Sequence, residues 1–150
     1  MEVIADVYVD ANILIYIVEG NKALASALNN IVEALDAGVL SAVTSELTLA
    51  EVLIGPLRTR DSATGDTYKA VLRSGKALRA IPVTSAVLER SAELRCNSTM
   101  SLPDAIHLAT AELAGCRYFL TEDRHLHVRP PLVALGAAAL NAMLAEWHLS

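Results

Sequence analysis

Apolar and polar positions along the chain follow two periods, and the places where one period gives way to the other mark out its elements. A Val- and Tyr-containing run over 3–9 has the character of a buried strand and ends in Asp10. Residues 13–18 continue as a short helix that Gly20-Asn21 breaks. From 22 to 36, Leu24, Leu28, Ile31, Val32 and Leu35 recur at helical spacing. Further strands are expected at 39–44, 78–83, 117–120 and 132–135, and Pro82 points to an edge position for the third. Helices are expected at 46–57, 67–76, 85–94, 101–113 and 137–147. Thr44 or Ser45 would cap the first of these and Gly55-Pro56 would interrupt it, while the polar stretch 58–67 reads as a loop or frayed helix start. Strands alternate with helices throughout, so the expected architecture is α/β, with a parallel sheet, right-handed crossovers and helices on both faces.

Composition narrows this picture. Of the 150 residues 53% are hydrophobic but only 4% aromatic, so the core must be Ala, Leu, Val and Ile, which suits helices packed on a parallel sheet. That length fits one domain over 1–150, with a core at about 3–135 and a helical tail at 136–150. The net charge of −5 excludes a generally basic coat protein for nucleic acid, though not a nucleic-acid substrate. Cys96 and Cys116 have no metal-ligand spacing and read as reduced thiols. The first six residues lack the form of a signal peptide, and the longest apolar stretch, 132–145, is too short to span a bilayer. The expected location is cytoplasmic, with no membrane partner.

Four carboxylates carry the candidate chemistry. Asp10 follows the first strand, where open α/β sheets gather ligands, although it could equally be the N-cap of the next helix. Glu51 stands alone in the apolar run Leu49-Ala50-Glu51-Val52-Leu53-Ile54; a helix apolar nearly all round is expected to be buried, and a carboxylate on it should be paired, protonated or metal-bound. Asp104 completes a Ser101-x-x-Asp104 capping pattern, which places it on a helix end facing the strand termini. Asp123 follows the fourth strand as Asp10 follows the first, with Thr121 beside it to cap or orient a carboxylate. All four map to one end of the sheet, where their mutual repulsion calls for cations. All-oxygen donors favour Mg²⁺ or Mn²⁺ over zinc, and such a site suits phosphodiester hydrolysis.

Other polar residues signal less. His107, one turn after Asp104, faces either the site or the core and reads best as a satisfied structural histidine; His125, His127 and His148 lack zinc-ligand partners. Arg58, Arg60, Lys69, Arg73, Lys76 and Arg79 crowd one window, and Lys69, Arg73 and Lys76 follow i, i+4, i+7. That spacing describes either a solvated helix face or a stripe that attracts the phosphates of an RNA strand.

Together, Val9-Asp10-Ala11-Asn12-Ile13-Leu14, Thr44-Ser45 leading to Leu49-Ala50-Glu51-Val52, Leu102-Pro103-Asp104-Ala105-Ile106 and Leu120-Thr121-Glu122-Asp123-Arg124 resemble the PIN-domain ribonucleases, above all the small VapC-like toxins of toxin–antitoxin pairs. The resemblance covers about 3–135. It implies a three-layer α/β/α sandwich on a five-stranded parallel sheet, with strands one and four side by side at its centre. It also implies metal ligands Asp10, Glu51, Asp104 and Asp123, oriented by Asn12 and Thr121. The implied activity is Mg²⁺-dependent (or Mn²⁺-dependent) endoribonuclease cleavage of single-stranded RNA, and the implied partners are a second copy of the chain and a small antitoxin. The chain departs from the family pattern at Glu122, often Asn, and at His125, often a second Asp. Two other readings compete. A phosphatase with Asp10 as nucleophile would want an acid where Asn12 stands. A non-catalytic PIN-like module binding nucleic acid or protein would be expected to lack one or more of the four carboxylates, and all are present.

Overall fold

The computed structural model describes residues 5–149. Residues 3 and 4 of the expected first strand, and the His148 side chain, lie outside what is described. Among the described residues five strands form one wholly parallel sheet in the order β3-β2-β1-β4-β5, with β1 Ala5–Val9, β2 Leu40–Ser45, β3 Leu78–Ile81, β4 Tyr118–Leu120 and β5 Val133–Leu135. β1 lies at the centre beside β4, and β3, followed by Pro82, lies at an edge. Among the described residues seven helices complete the fold: α1 Ala11–Glu19, α2 Ala25–Asp36, α3 Leu47–Thr59, α4 Ser62–Ser74, α5 Ser85–Cys96, α6 Leu102–Leu113 and α7 Ala137–Leu149. No helix among the described residues is long and apolar enough to cross a membrane.

The strands' two-residue period divides the core. Val7 and Val9 of β1, with Leu40, Ala42, Tyr118 and Leu120, face a layer built from Ile13 and Leu14 of α1, Leu28 and Ile31 of α2, Val52 of α3, Tyr68 and Leu72 of α4, and Leu140 and Leu144 of α7. Tyr8, Val43 and Phe119 face the opposite way, onto Val87 and Leu94 of α5 and Ala105, Leu108 and Ala109 of α6. The result is the three-layer α/β/α sandwich. The tail helix α7 belongs to the first of these layers, since Ala137, Leu140 and Leu144 are buried in it.

Three local expectations need correction. Helix α4 begins at Ser62, not near 67, because the Asp61 carboxylate caps it by accepting from Thr64 N (3.1 Å) and Thr64 Oγ1 (2.7 Å). Gly55-Pro56 does not interrupt α3; a glycine before proline has no Cβ to clash with the ring, and the helix runs on to Thr59. Nor is α3 buried all round: Thr48, Val52 and Pro56 form its buried stripe, while Ile54 and Leu57 are exposed.

Candidate active site

The parallel register aligns the strands' carboxyl ends. Val9 pairs with Leu120, so the residues that follow, Asp10 and Thr121, emerge side by side. The Asp10 N–H donates to Leu120 O (3.1 Å), and its carbonyl accepts from Ile13 and Leu14, placing its backbone at the N-cap of α1. Its carboxylate makes no capping hydrogen bond. Instead Thr121 Oγ1 donates to Asp10 Oδ2 (2.6 Å), and the same oxygen accepts from the Asp123 N–H (3.0 Å). The buried Thr121 hydroxyl therefore buckles Asp10 to the start of the β4–β5 loop. Burial pushes the Asp10 carboxyl above its ordinary 3.8, opposed chiefly by the Thr121 hydroxyl.

Glu51 arrives from the second turn of α3, with its side chain 34% exposed. Its Oε1 accepts from His107 Nε2 at 2.5 Å. His107 is buried on α6, and its other ring nitrogen, Nδ1, lies 2.5 Å from Tyr8 Oη. The Ser45 N–H at the end of β2 donates into the same phenol oxygen (3.0 Å). His107 is thus satisfied at both nitrogens, as a structural histidine would be, and one of its partners is a candidate site residue. Tyr8 was not singled out from sequence; the signal available was a polar-tipped aromatic between two valines of the strand, two residues before Asp10.

Asp104 stands three residues before His107 on α6, a spacing that puts both on one helix face. Its N–H donates to Ser101 Oγ (3.2 Å), so Ser101 caps the helix and the partly buried carboxylate takes no part in the cap. Asp123 is exposed, and its Oδ1 accepts from the His125 N–H (2.9 Å). Asn12 is exposed on the first turn of α1, and its side chain makes no hydrogen bond among the described residues. Glu122 turns away: its Oε1 accepts from Ala137 N (2.7 Å) at the start of α7, and a Cβ on Gly136 would lie 3.2 Å from that oxygen. It serves the tail helix and leaves the sheet end to the other carboxylates.

The structure therefore joins Asp10, Thr121 and the Asp123 backbone into one unit and Glu51 with His107 into another, with Asp104 one helical turn from the second. Among the described residues no three of His, Cys, Asp and Glu are gathered into a group that could hold a metal ion. The donor chemistry nonetheless fits a hard cation, because Asp10, Asp104 and Asp123 offer oxygen only and no Lys or Arg pairs with them among the described residues.

The basic stripe is not continuous. Lys69 and Arg73 lie on α4, but Gly75, with φ 63°, ends the helix before Lys76. Lys76 sits beside Leu40 and Arg79, at the end of the sheet opposite the carboxylates.

A sequence profile of the PIN domain matches residues 7–130. A search of curated proteins finds no match. Among solved structures, the chain is similar to a toxin–antitoxin complex from Klebsiella pneumoniae, with TM-score 0.61 and 25% identity over 85% of this chain and 95% of that one. It is also similar to VapBC2 from Rickettsia felis bound to a DNA fragment from their promoter (TM-score 0.67, 16% identity, 87% of this chain and 98% of that one). A protein from Pyrobaculum aerophilum shares the fold at TM-score 0.63 and 19% identity, over 95% of this chain and 98% of that one.

Proposed function

The chain belongs to the PIN-domain family, and on that premise we propose that it is a divalent-metal-dependent endoribonuclease acting on single-stranded RNA, the toxin of a toxin–antitoxin pair. The observation that carries this reading is the buckle at the sheet's carboxyl edge: Thr121 holds Asp10 while fixing the backbone of Asp123, with Glu51 and Asp104 delivered from α3 and α6. Asp10, Glu51, Asp104 and Asp123 would hold the cation, Mg²⁺ or Mn²⁺. Bound there, it would supply positive charge for the phosphodiester and ease ionisation of an attacking water.

On this reading the protein's own share would be to offer oxygen donors from four elements and to keep Asp10 fixed through Thr121. No side-chain nucleophile is needed. Of the basic residues expected to meet RNA, Lys69 and Arg73 remain candidates. Lys76 lies at the opposite sheet end, away from the carboxylates. A protein partner is supported by Ile54 and Leu57, which are 48% and 74% exposed on the same helix as Glu51, and by the similarity to the Klebsiella toxin–antitoxin complex. The partners proposed are a second copy of the chain and a small antitoxin, in the cytoplasm.

The test is cleavage of mixed-sequence single-stranded RNA by the purified chain with Mg²⁺, with Mn²⁺ and with chelator, alongside an Asp10→Asn/Asp104→Asn variant. Metal-dependent cutting that the double variant loses is the expected result. A folded wild-type protein that binds RNA but never cuts it would replace the nuclease with a binding module.

A further inference from the structure

Tyr8 and His107 place a line of hydrogen bonds under the candidate site that packing alone does not require. Both are closed to solvent, Tyr8 at 0% and His107 at 3% exposure, and two apolar rings would fill the same volume without needing partners. The line runs from the Ser45 N–H of β2 to Tyr8 Oη of β1, on to His107 of α6, and ends on Glu51 of α3. One tautomer of His107 satisfies every partner along the line. An ionised carboxylate only accepts, so His107 Nε2 carries the hydrogen given to Glu51 Oε1. In the tautomer with that hydrogen on Nε2, Nδ1 is the acceptor, and Tyr8 Oη, already an acceptor from Ser45, is the group beside it that can donate. Tyr8 cannot swing away, because its ring stacks on Phe119 at 4.8 Å and 17°.

We infer that Tyr8 and His107 are positioning residues for Glu51. They lock one carboxylate oxygen, Oε1, and so present Oε2, which has no hydrogen-bond partner among the described residues, toward a divalent cation. This rests on the metal-site reading above. The long, three-torsion Glu51 side chain is one-third exposed, so it would otherwise sample several rotamers. His107 acts through Glu51 and touches no substrate. Residues that orient a ligand in this way change metal affinity by about 10- to 100-fold when removed.

Two amides separate this role from simple packing. In His107→Gln the amide nitrogen falls near the place of Nε2 and still reaches Glu51. In His107→Asn the amide falls near Nδ1 and reaches only Tyr8. Mn²⁺ affinity, read by electron paramagnetic resonance of free Mn²⁺, should fall about 10- to 100-fold in His107→Asn and stay close to wild type in His107→Gln, at comparable melting temperatures. Equal affinity in both variants, whether wild-type or weakened, overturns the inference. Should the variants not fold, ¹⁵N-histidine spectra of the metal-free wild type decide: hydrogen on Nε2, with a shift in Glu51→Gln, supports it, and hydrogen on Nδ1 alone overturns it. Wild-type protein whose Mn²⁺ binding is absent, or undisturbed by Asp10→Asn, removes the metal-site reading and this inference with it.

Discussion

Tyr8 and Tyr68 are both fully buried, one on each side of the sheet, and their hydroxyls are satisfied in different ways. Tyr68, in the layer of α1, α2, α4 and α7, points its hydroxyl outward and donates to Glu19, an exposed carboxylate at the end of α1. Water can take over there if the phenol is lost. Tyr8, in the layer of α5 and α6, points inward, where Ser45 N–H and His107 Nδ1 have no access to water. Burial pushes both phenols up, so both stay protonated donors. The difference teaches where this fold spends polar groups inside: one layer is mainly apolar volume supporting the sheet, and the other carries a line of hydrogen bonds that ends on Glu51.

The largest effects should come from cutting each layer at its centre. Phe119→Ala, beneath Tyr8, should cost about 3–5 kcal/mol in urea unfolding and weaken Mn²⁺ binding as well. Leu140→Ala, on the α7 side, should cost about 2–5 kcal/mol while leaving the proposed RNA cleavage per folded molecule unchanged. A Leu140 variant that loses activity while folded would break the division between the layers.

A smaller and sharper comparison removes one oxygen from each tyrosine. Tyr8→Phe strands two buried polar groups and should cost about 2 kcal/mol or more, whereas Tyr68→Phe, with its partner at the surface, should cost about 0.5–1.5 kcal/mol. Equal losses in a matched pair of denaturation curves would mean that the α5/α6 side is wetter than its burial implies.

Asp10 predicts a pH effect. Its carboxyl is held above 3.8 mainly by burial, so ionising it works against the fold. That share of stability is complete below pH 3.8 and is lost as pH rises through the raised value. At neutral pH the metal-free Asp10→Asn variant should therefore melt slightly higher than wild type, and added Mg²⁺ should reverse the order. A lower melting temperature for the metal-free variant would show that the Thr121 hydrogen bond outweighs the burial cost.

The smallest effect is a labelling rate. Burial pushes the Cys116 thiol up to about 12, while Cys96 is exposed. At pH 8 a thiol reagent should label Cys96 and spare Cys116. Cys116 packs in the α5/α6 layer, so its labelling should quicken in Tyr8→Phe and not in Tyr68→Phe.

Much of the frame is written locally. The turn from a Val-rich strand into α1 at Asp10, the Ser101 cap and the edge position of Pro82 each depend on a few neighbouring residues, and all are visible in the chain. Errors arose where local polarity misled. Residues 62–66 look like a loop, yet the Asp61 cap and the inward faces of Gly65 and Tyr68 make them helix. The spacing of Lys69, Arg73 and Lys76 looks like one stripe, but Gly75 takes up a left-handed conformation and ends the helix first.

By itself the sequence determined the alternation of strands and helices and the two-faced pattern of each strand, and it offered four candidate carboxylates, because periodicity and side-chain chemistry are properties of neighbours. Only the tertiary structure decided what each carboxylate touches. Thr121 lies 111 residues from Asp10, His107 lies 56 from Glu51, and Tyr8 lies 99 from His107. Hydrogen bonds of about 3 Å reach no further than the groups that chain crossing and strand register bring together, and no local pattern encodes that meeting.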